Sequence, residues 1–223
     1  MGKNKSLAII IPAYNEEKTI LKVCRRVKNL GILLVIDDCS TDHTKNILKK
    51  NKIRFISNKS NIGYERSIKA GFKYVFKNLS YIKYFVTIDA DLELPSKYIS
   101  KLHNEIIKKK IDIIIGSRNK FNRFSENILN SIFKYKFNLT DPISGLKVYR
   151  VKVIKKIFNN ISNKMFLVDI LIIGFLKKFK ISCRKIITSK RSGNARVGGS
   201  IKVNLKILKI AFMSLIHNKL NFN

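Results

Sequence analysis

Two aspartates separated by one alanine, Asp89-Ala90-Asp91, follow the apolar run Phe85-Val86-Thr87-Ile88 and precede Leu92-Glu93-Leu94-Pro95. Residues at i and i+2 of an extended segment point the same way, so the spacing predicts two carboxylates facing one site. Paired hard oxygen donors suit Mg2+ or Mn2+, which keep water and substrate oxygens in their remaining positions, and a diphosphate would complete such a shell. An ion held there acts as a Lewis acid on charge developing at a departing diphosphate. Taken alone the pair is a weak signal, because Asp-x-Asp after a strand more often just solvates a loop.

Other residues of chemical interest recur at the ends of apolar runs: Pro12 after LAIII, Asp38 after LLVID, and Arg118 after DIIIGS. Carboxylates there can accept hydrogen bonds from a base or ribose, although capping or solvation competes for Asp38 and a strand stop for Pro12. Asp141 in the turn DPISG reads either as a working carboxylate or as an Asx turn before Pro142. His43, His103 and His217 lack ligand spacing, and Cys24, Cys39 and Cys183 indicate neither a disulfide framework nor a zinc site.

The elements that must carry these residues follow from periodicity. Apolar runs alternate with helical segments: LAIIIP and a helix from about Glu16, LLVID and a helix from Asp42, IRFIS and a helix after Gly63. YFVTIDAD ends a fourth strand, Ser96 is placed to cap the next helix, and DIIIGSR supplies a fifth strand. This βα alternation predicts an α/β fold with a mostly parallel, doubly wound sheet that binds ligands at the carboxyl ends of its strands. Beyond Asn119 the pattern loosens into a basic aromatic helix, the DPISG turn, a strand at LKVYR, further helices and a Gly/Ser/basic loop.

The 223 residues fit one domain, and 46 Lys plus Arg against 14 Asp plus Glu give a net charge of +32. Such a field would draw phosphates, anionic lipid or nucleic acid, but Lys, Ile and Asn abound along the whole chain, which equally fits a compositional bias. The amino-terminal apolar run leads into a polar PAYNEE turn and reads as a first strand rather than a secretory signal. No stretch approaches the ~18 apolar residues that would span a bilayer. VDILIIGFL is too short and contains Asp169. Apolar faces at Arg123 to Phe137 and at Ile201 to Leu215 could meet a membrane surface, though such faces more often pack on their own core.

In order along residues 7 to 202, IIIPAYNEEKTI, VIDDCSTDHT, NIGYERSIKAGF, TIDADLELP, IIGSR, DPISGLKVYR and RVGGSIK resemble the inverting GT-A-fold nucleotide-sugar glycosyltransferases, closest to the dolichyl-phosphate mannosyltransferase and polyprenyl-phosphate glycosyltransferase branch. The resemblance implies a catalytic domain over residues 1–200, with a nucleotide-binding half to 118 and an acceptor-side half from 119, followed by an amphipathic helix over 201–223. It implies that Pro12, Tyr14, Glu16, Ile36 and Asp38 hold the nucleotide, and that Asp89, Ala90 and Asp91 meet the diphosphate and Mg2+ or Mn2+. Asp91 is the more direct metal ligand, and Glu93, standing where similar chains have Gln, is a third. Arg118 is implied as a phosphate-binding arginine, and Arg196 and Lys202 as the closing pair of a lid, whose extra Gly and intervening Ile201 depart from the family pattern.

Asp89, Asp91, Asp141 and Arg118 would thus form the catalytic set. The implied reaction moves a hexose from GDP-mannose or UDP-glucose to a polyprenyl or dolichyl phosphate, with glycan or lipid-glycan hydroxyls as the alternative acceptor. A phosphate monoester, with a second pKa of about 6, barely needs a base, so with that acceptor Asp141 orients basic groups or the sugar; with a hydroxyl it leads as general base. The expected setting is the cytoplasmic face of a membrane, with peripheral contact to anionic lipid or a membrane-protein partner. A nucleic-acid-binding role is disfavoured, since no such motif is present.

Overall fold

The computed structural model describes residues 5–121, 123–161 and 165–189. Seven strands form one sheet in the order β3-β2-β1-β4-β6-β5-β7: β1 (Leu7–Ala13), β2 (Ile32–Asp37), β3 (Phe55–Ser57), β4 (Tyr84–Thr87), β5 (Ile113–Arg118), β6 (Lys147–Arg150) and β7 (Ile181–Ile186). Every pairing is parallel except those of β6, which runs antiparallel between β4 and β5. The helices are α1 (Ile20–Val27), α2 (Thr44–Lys50), α3 (Tyr64–Asn78), α4 (Lys97–Lys108), α5 (Phe124–Phe137), α6 (Val151–Ile157) and α7 (Phe166–Leu176).

Period-two alternation along β1 separates the two faces of the core. Ala8 and Ile10 pack with Ile36, Phe72 and the residues of α7, while Leu7, Ile9 and Ile11 pack with Val23, Leu48 and Leu102 on the other side. Helix α3 lies close on the sheet at Gly71, where an added Cβ would come within 2.8 Å of Ile10 Cγ2. Helix α7, apolar all round, is the centre of its layer, and Asp169 within it is 1% exposed. Among the described residues no helix is long and apolar enough to cross a membrane. On α5 the expected apolar face divides: Leu129 and Phe133 are buried in the core, and Ile128 and Ile132 are half-buried.

The first five strands and the helices between them stand where periodicity predicts. Helix α1 begins later than expected, at Ile20, because a turn held by the Glu16 carbonyl precedes it. Ser96 occupies the residue before α4 without a side-chain cap. Strand β7 was not anticipated: ISCRKI mixes polar and apolar residues, as an edge strand paired on one side can. The expected helix over 201–223 and the lid loop beyond Ser189 lie outside the described residues.

One ion pair fastens β7 to the rest. Arg184 donates through Nε to Glu105 Oε1 of α4 at 2.7 Å and through Nη2 to the same oxygen, and Lys109 joins at 2.9 Å. The Arg184 hydrogen bond is the main cause that holds the Glu105 carboxyl down at about 2. Its stabilising contribution is therefore complete above the ordinary carboxylate range and lost as pH falls toward 2. Glu105→Gln is expected to lower the melting temperature near pH 7, with the difference from the unaltered protein closing between about pH 4.5 and 2 in a pH series of thermal melts.

Candidate active site

The antiparallel insertion of β6 gathers the site. Its first residue, Lys147, lies beside Thr87 of β4 and Ile115 of β5, so the turn leading into it, Asp141 to Leu146, sits at the carboxyl ends of both neighbours. The Asp89-Ala90-Asp91 segment leaves β4 at that same edge. It forms a turn there instead of the expected extended run, Leu92 taking a left-handed backbone (φ +67°) and Asp91 Oδ1 accepting the Glu93 N–H at 3.0 Å. Asp91 is buried, while Asp89 is half-buried and accepts the Tyr64 hydroxyl at 2.6 Å.

Asp89 and Asp91 remain electrostatically coupled despite the turn. Burial first, then the charges of Asp91 and Glu93, push the Asp89 carboxyl up to about 6, against the Tyr64 hydrogen bond and the Arg118 charge. Two mutually repelling carboxylates are a hard-oxygen donor set whose repulsion a divalent cation would relieve. Among the described residues no group of three or more His, Cys, Asp or Glu side chains is arranged as a metal cage. Glu93 faces Arg118, with Oε1 3.9 Å from Nη1. The remaining pair fits Mg2+ or Mn2+, since Mg2+ uses one or two carboxylates and completes its shell with water and phosphate oxygens.

Arg118 ends β5 and is gripped rather than free. Nε and Nη2 donate to Asp141 Oδ2 and Oδ1, both at 2.9 Å, and its backbone N–H reaches Oδ2 at 2.9 Å. Glu126 Oε2 lies 3.8 Å away and the Phe121 ring centroid 5.7 Å from Cζ. Burial alone would lower the Arg118 pKa, but the Asp141 hydrogen bonds and charge reverse this and raise it. Arg118 is thus the hub of an acidic cluster at the strand end where a phosphate-binding arginine is expected. Asp141 is fully buried, and its N–H donates to Asn130 Oδ1 at 2.8 Å. With both its oxygens committed to Arg118, its geometry is that of an orienting group, and a general-base role would require breaking that fork.

The nucleotide-side expectations also separate. Asp38 Oδ1 accepts Asn58 Nδ2 at 2.8 Å and the Ile62 N–H at 3.0 Å, while Oδ2 accepts the Gly63 N–H at 2.8 Å. It pins the loop that leads into Tyr64 and through it reaches Asp89, and this occupies most of its acceptor capacity. Glu16 turns to Thr19 Oγ1 at 2.7 Å, and its N–H donates to Thr44 Oγ1 at 2.7 Å, a local cap before α1. The Ile36 side chain is fully buried against Gly71. Pro12 is buried, Tyr14 half-buried after β1, and Ala90 buried in the acidic turn. Arg196 and Lys202 lie outside the described residues.

Sequence reasoning missed a buried charge layer beneath the acids. Lys147 is fully buried, and its ammonium donates to the Ser144 carbonyl. Burial lowers its pKa to about 8, opposed by the charges of Asp141, Glu65 and Asp89. Glu65, at the start of α3, accepts the Leu167 N–H at 2.7 Å, and burial pushes it up to about 7. A lysine beginning a strand reads as an exposed end, so only a search for charges within otherwise apolar segments would have marked it.

Residues 8–158 match Glycosyl transferase family 2. A dolichol-phosphate mannosyltransferase from Pyrococcus furiosus is 29% identical over 195 residues, 77% of this chain and 54% of that one. A UDP-N-acetylglucosamine--dolichyl-phosphate N-acetylglucosaminyltransferase from Methanococcus voltae is 26% identical over 93% of this chain and 97% of its own. An uncharacterised Methanocaldococcus jannaschii protein is 37% identical over 49% of this chain, and the match spans 50% of its length. The chain thus spans about half the length of two of these relatives. Glucosyl-3-phosphoglycerate synthase from Mycobacterium tuberculosis, solved with Mn2+, UDP-glucose and phosphoglyceric acid, superposes with a TM-score of 0.75 at 14% identity, over 96% of this chain and 80% of that one. The fold is therefore of the GT-A type.

Lys147→Met removes the cation that faces Glu65, Asp89 and Asp141, leaving buried carboxylates uncompensated. The expected loss is about 3–5 kcal/mol in chemical denaturation near pH 7, below the Lys147 pKa of about 8. It should be smaller near pH 5, where Glu65, already raised to about 7, is protonated in the folded state.

Proposed function

The chain belongs to glycosyl transferase family 2, and from that premise we propose that it moves a hexose from a nucleoside diphosphate sugar to a polyprenyl phosphate, with inversion at the anomeric carbon. The observation that carries this reading is the Asp89/Asp91 turn at the carboxyl end of a central strand, beside the buried Arg118–Asp141 fork. Relatives named for polyprenyl- or dolichyl-phosphate acceptors support the acceptor class, and the Mn2+ and UDP-glucose of the solved neighbour support a divalent ion and a nucleotide sugar. GDP-mannose and UDP-glucose are the donors to test first.

Asp91, with Asp89, would hold Mg2+ or Mn2+; when bound, the ion supplies Lewis-acid stabilisation of the departing nucleoside diphosphate. The chain's own residues do the rest. Pro12 near the end of β1 and Tyr14 just after it would border the nucleotide, and Asp38 contributes by fixing the loop before Tyr64. Arg118 balances the acidic turn and holds the Asp141 carboxylate in place through the fork. Arg196 and Lys202 would close over the phosphates. A polyprenyl phosphate arrives already largely ionised, so attack on the anomeric carbon asks no base of Asp141, in agreement with its commitment to Arg118. The half from residue 119 would receive the acceptor at the cytoplasmic face of a membrane, through contact with lipid or a membrane-protein partner.

Labelled GDP-mannose and UDP-glucose offered with a polyprenyl phosphate or an oligosaccharide, with and without Mn2+, test this reading. Label in the lipid phase is the expected result; label on the oligosaccharide instead would transfer the reading to hydroxyl acceptors. Asp91→Asn should reduce turnover by about 100- to 1,000-fold, as loss of a group stabilising the departing charge does, while the circular dichroism spectrum stays the same. Unchanged turnover would sink the metal assignment.

A further inference from the structure

Asp89 is held by two groups that neither the metal nor the nucleotide accounts for. Tyr64, the first residue of α3, donates its hydroxyl to Oδ1 at 2.6 Å. At Gly145, in the DPISG turn, an added Cβ would fall within the Asp89 carboxylate: the three atoms nearest to it are Oδ2, Cγ and Oδ1 of that one side chain. Gly145 is not among the residues with positive φ, so its backbone conformation is open to any L-residue. A side chain at this position could be accommodated only by displacing the Asp89 carboxylate, which fills the space beside Gly145.

The turn that presents Gly145 is itself rigid. Asp141 anchors one end through the fork to Arg118, and Ser144 donates to the Gly116 carbonyl at 2.6 Å while its own carbonyl accepts Lys147. The other side is equally fixed, since Asp38 gathers the Ile62 and Gly63 N–H groups just before Tyr64. A short side chain with two torsions, held at one oxygen and pressed against a backbone, has little freedom left.

We propose that Tyr64 and Gly145 are positioning residues that together clamp the Asp89 carboxylate and set the angle at which it meets a divalent cation carrying a nucleoside diphosphate. The cation and nucleotide in this statement rest on the family 2 reading above; the clamp does not. Asp89 is thereby oriented before any ligand arrives, as a carboxylate that ligates or faces a metal needs to be. Tyr64, 40% exposed, borders the space that the ligand enters.

The test compares Gly145→Ala, Tyr64→Phe, Asp89→Ala and the double variant Gly145→Ala/Asp89→Ala. In ligand-free protein labelled with 13C-aspartate, the carboxyl signal absent from Asp89→Ala belongs to Asp89. It should move in both Gly145→Ala and Tyr64→Phe at fixed pH; a signal unmoved in either variant overturns the clamp. Binding of UDP and GDP in the presence of Mn2+, measured by calorimetry, reads what the clamp serves. Gly145→Ala should weaken it about 10- to 100-fold, the usual cost of disturbing a group that orients a metal ligand. Added to Asp89→Ala, the same substitution should cost nothing more, and an equal loss in both backgrounds would show that it acts through the turn and not through Asp89. A wild-type chain that binds neither nucleotide overturns the family 2 substrate reading, while the carboxyl signal decides the clamp by itself.

Discussion

The buried fork between Arg118 and Asp141 is the interaction on which the rest of the site depends. It ties the end of β5 to the turn before β6, two segments that only the antiparallel insertion makes neighbours. A guanidinium and a carboxylate so deeply buried are tolerated only when their hydrogen bonds are satisfied, and here three donors of Arg118 meet the two oxygens of Asp141. Because that turn is fixed, Ser144, Gly145 and Lys147 come to stand against the acidic turn of β4 from the opposite strand.

Around this fork the charges form layers with different tasks. Asp89, half-buried, and Asp91, buried, lie in the turn that leaves β4 at the carboxyl edge of the sheet. Beneath them Lys147 and Glu65 form a buried counter-layer, with pKa values drawn toward neutrality by burial. Farther along the edge, Asp38 acts at a distance: it fixes a loop, the loop presents Tyr64, and Tyr64 holds Asp89. A residue that resembles a ligand contact in sequence thus serves through two intermediaries, which is economical where most carboxylate lone pairs already have donors.

The strand-end placement of Asp38, Asp89 and Arg118 was legible from apolar runs followed by polar residues, because a parallel strand is buried on both faces and its polarity appears only where it stops. The site's internal wiring was not. Asp89 and Asp91 were expected to point together along an extended segment, and a left-handed Leu92 makes that segment a turn. Glu93 carries a metal ligand's chemistry, yet its carboxylate faces Arg118; Ile36 stands near a ligand edge, yet its side chain fills the core beneath Gly71. Residue type and spacing do not encode which of two neighbours a carboxylate will face.

The sequence by itself determined the α/β alternation, the five strands of the first half, the acidic pair after β4 and the family to which these motifs belong, since each is written in local periodicity or in residues close together in the chain. Only the tertiary structure decided that β6 runs antiparallel between β4 and β5, that β7 pairs at the edge, that Lys147 is buried among acids, and that Gly145 is kept open for Asp89. Those features join residues far apart in sequence, and a contact between strands leaves no trace in the periodicity of either one.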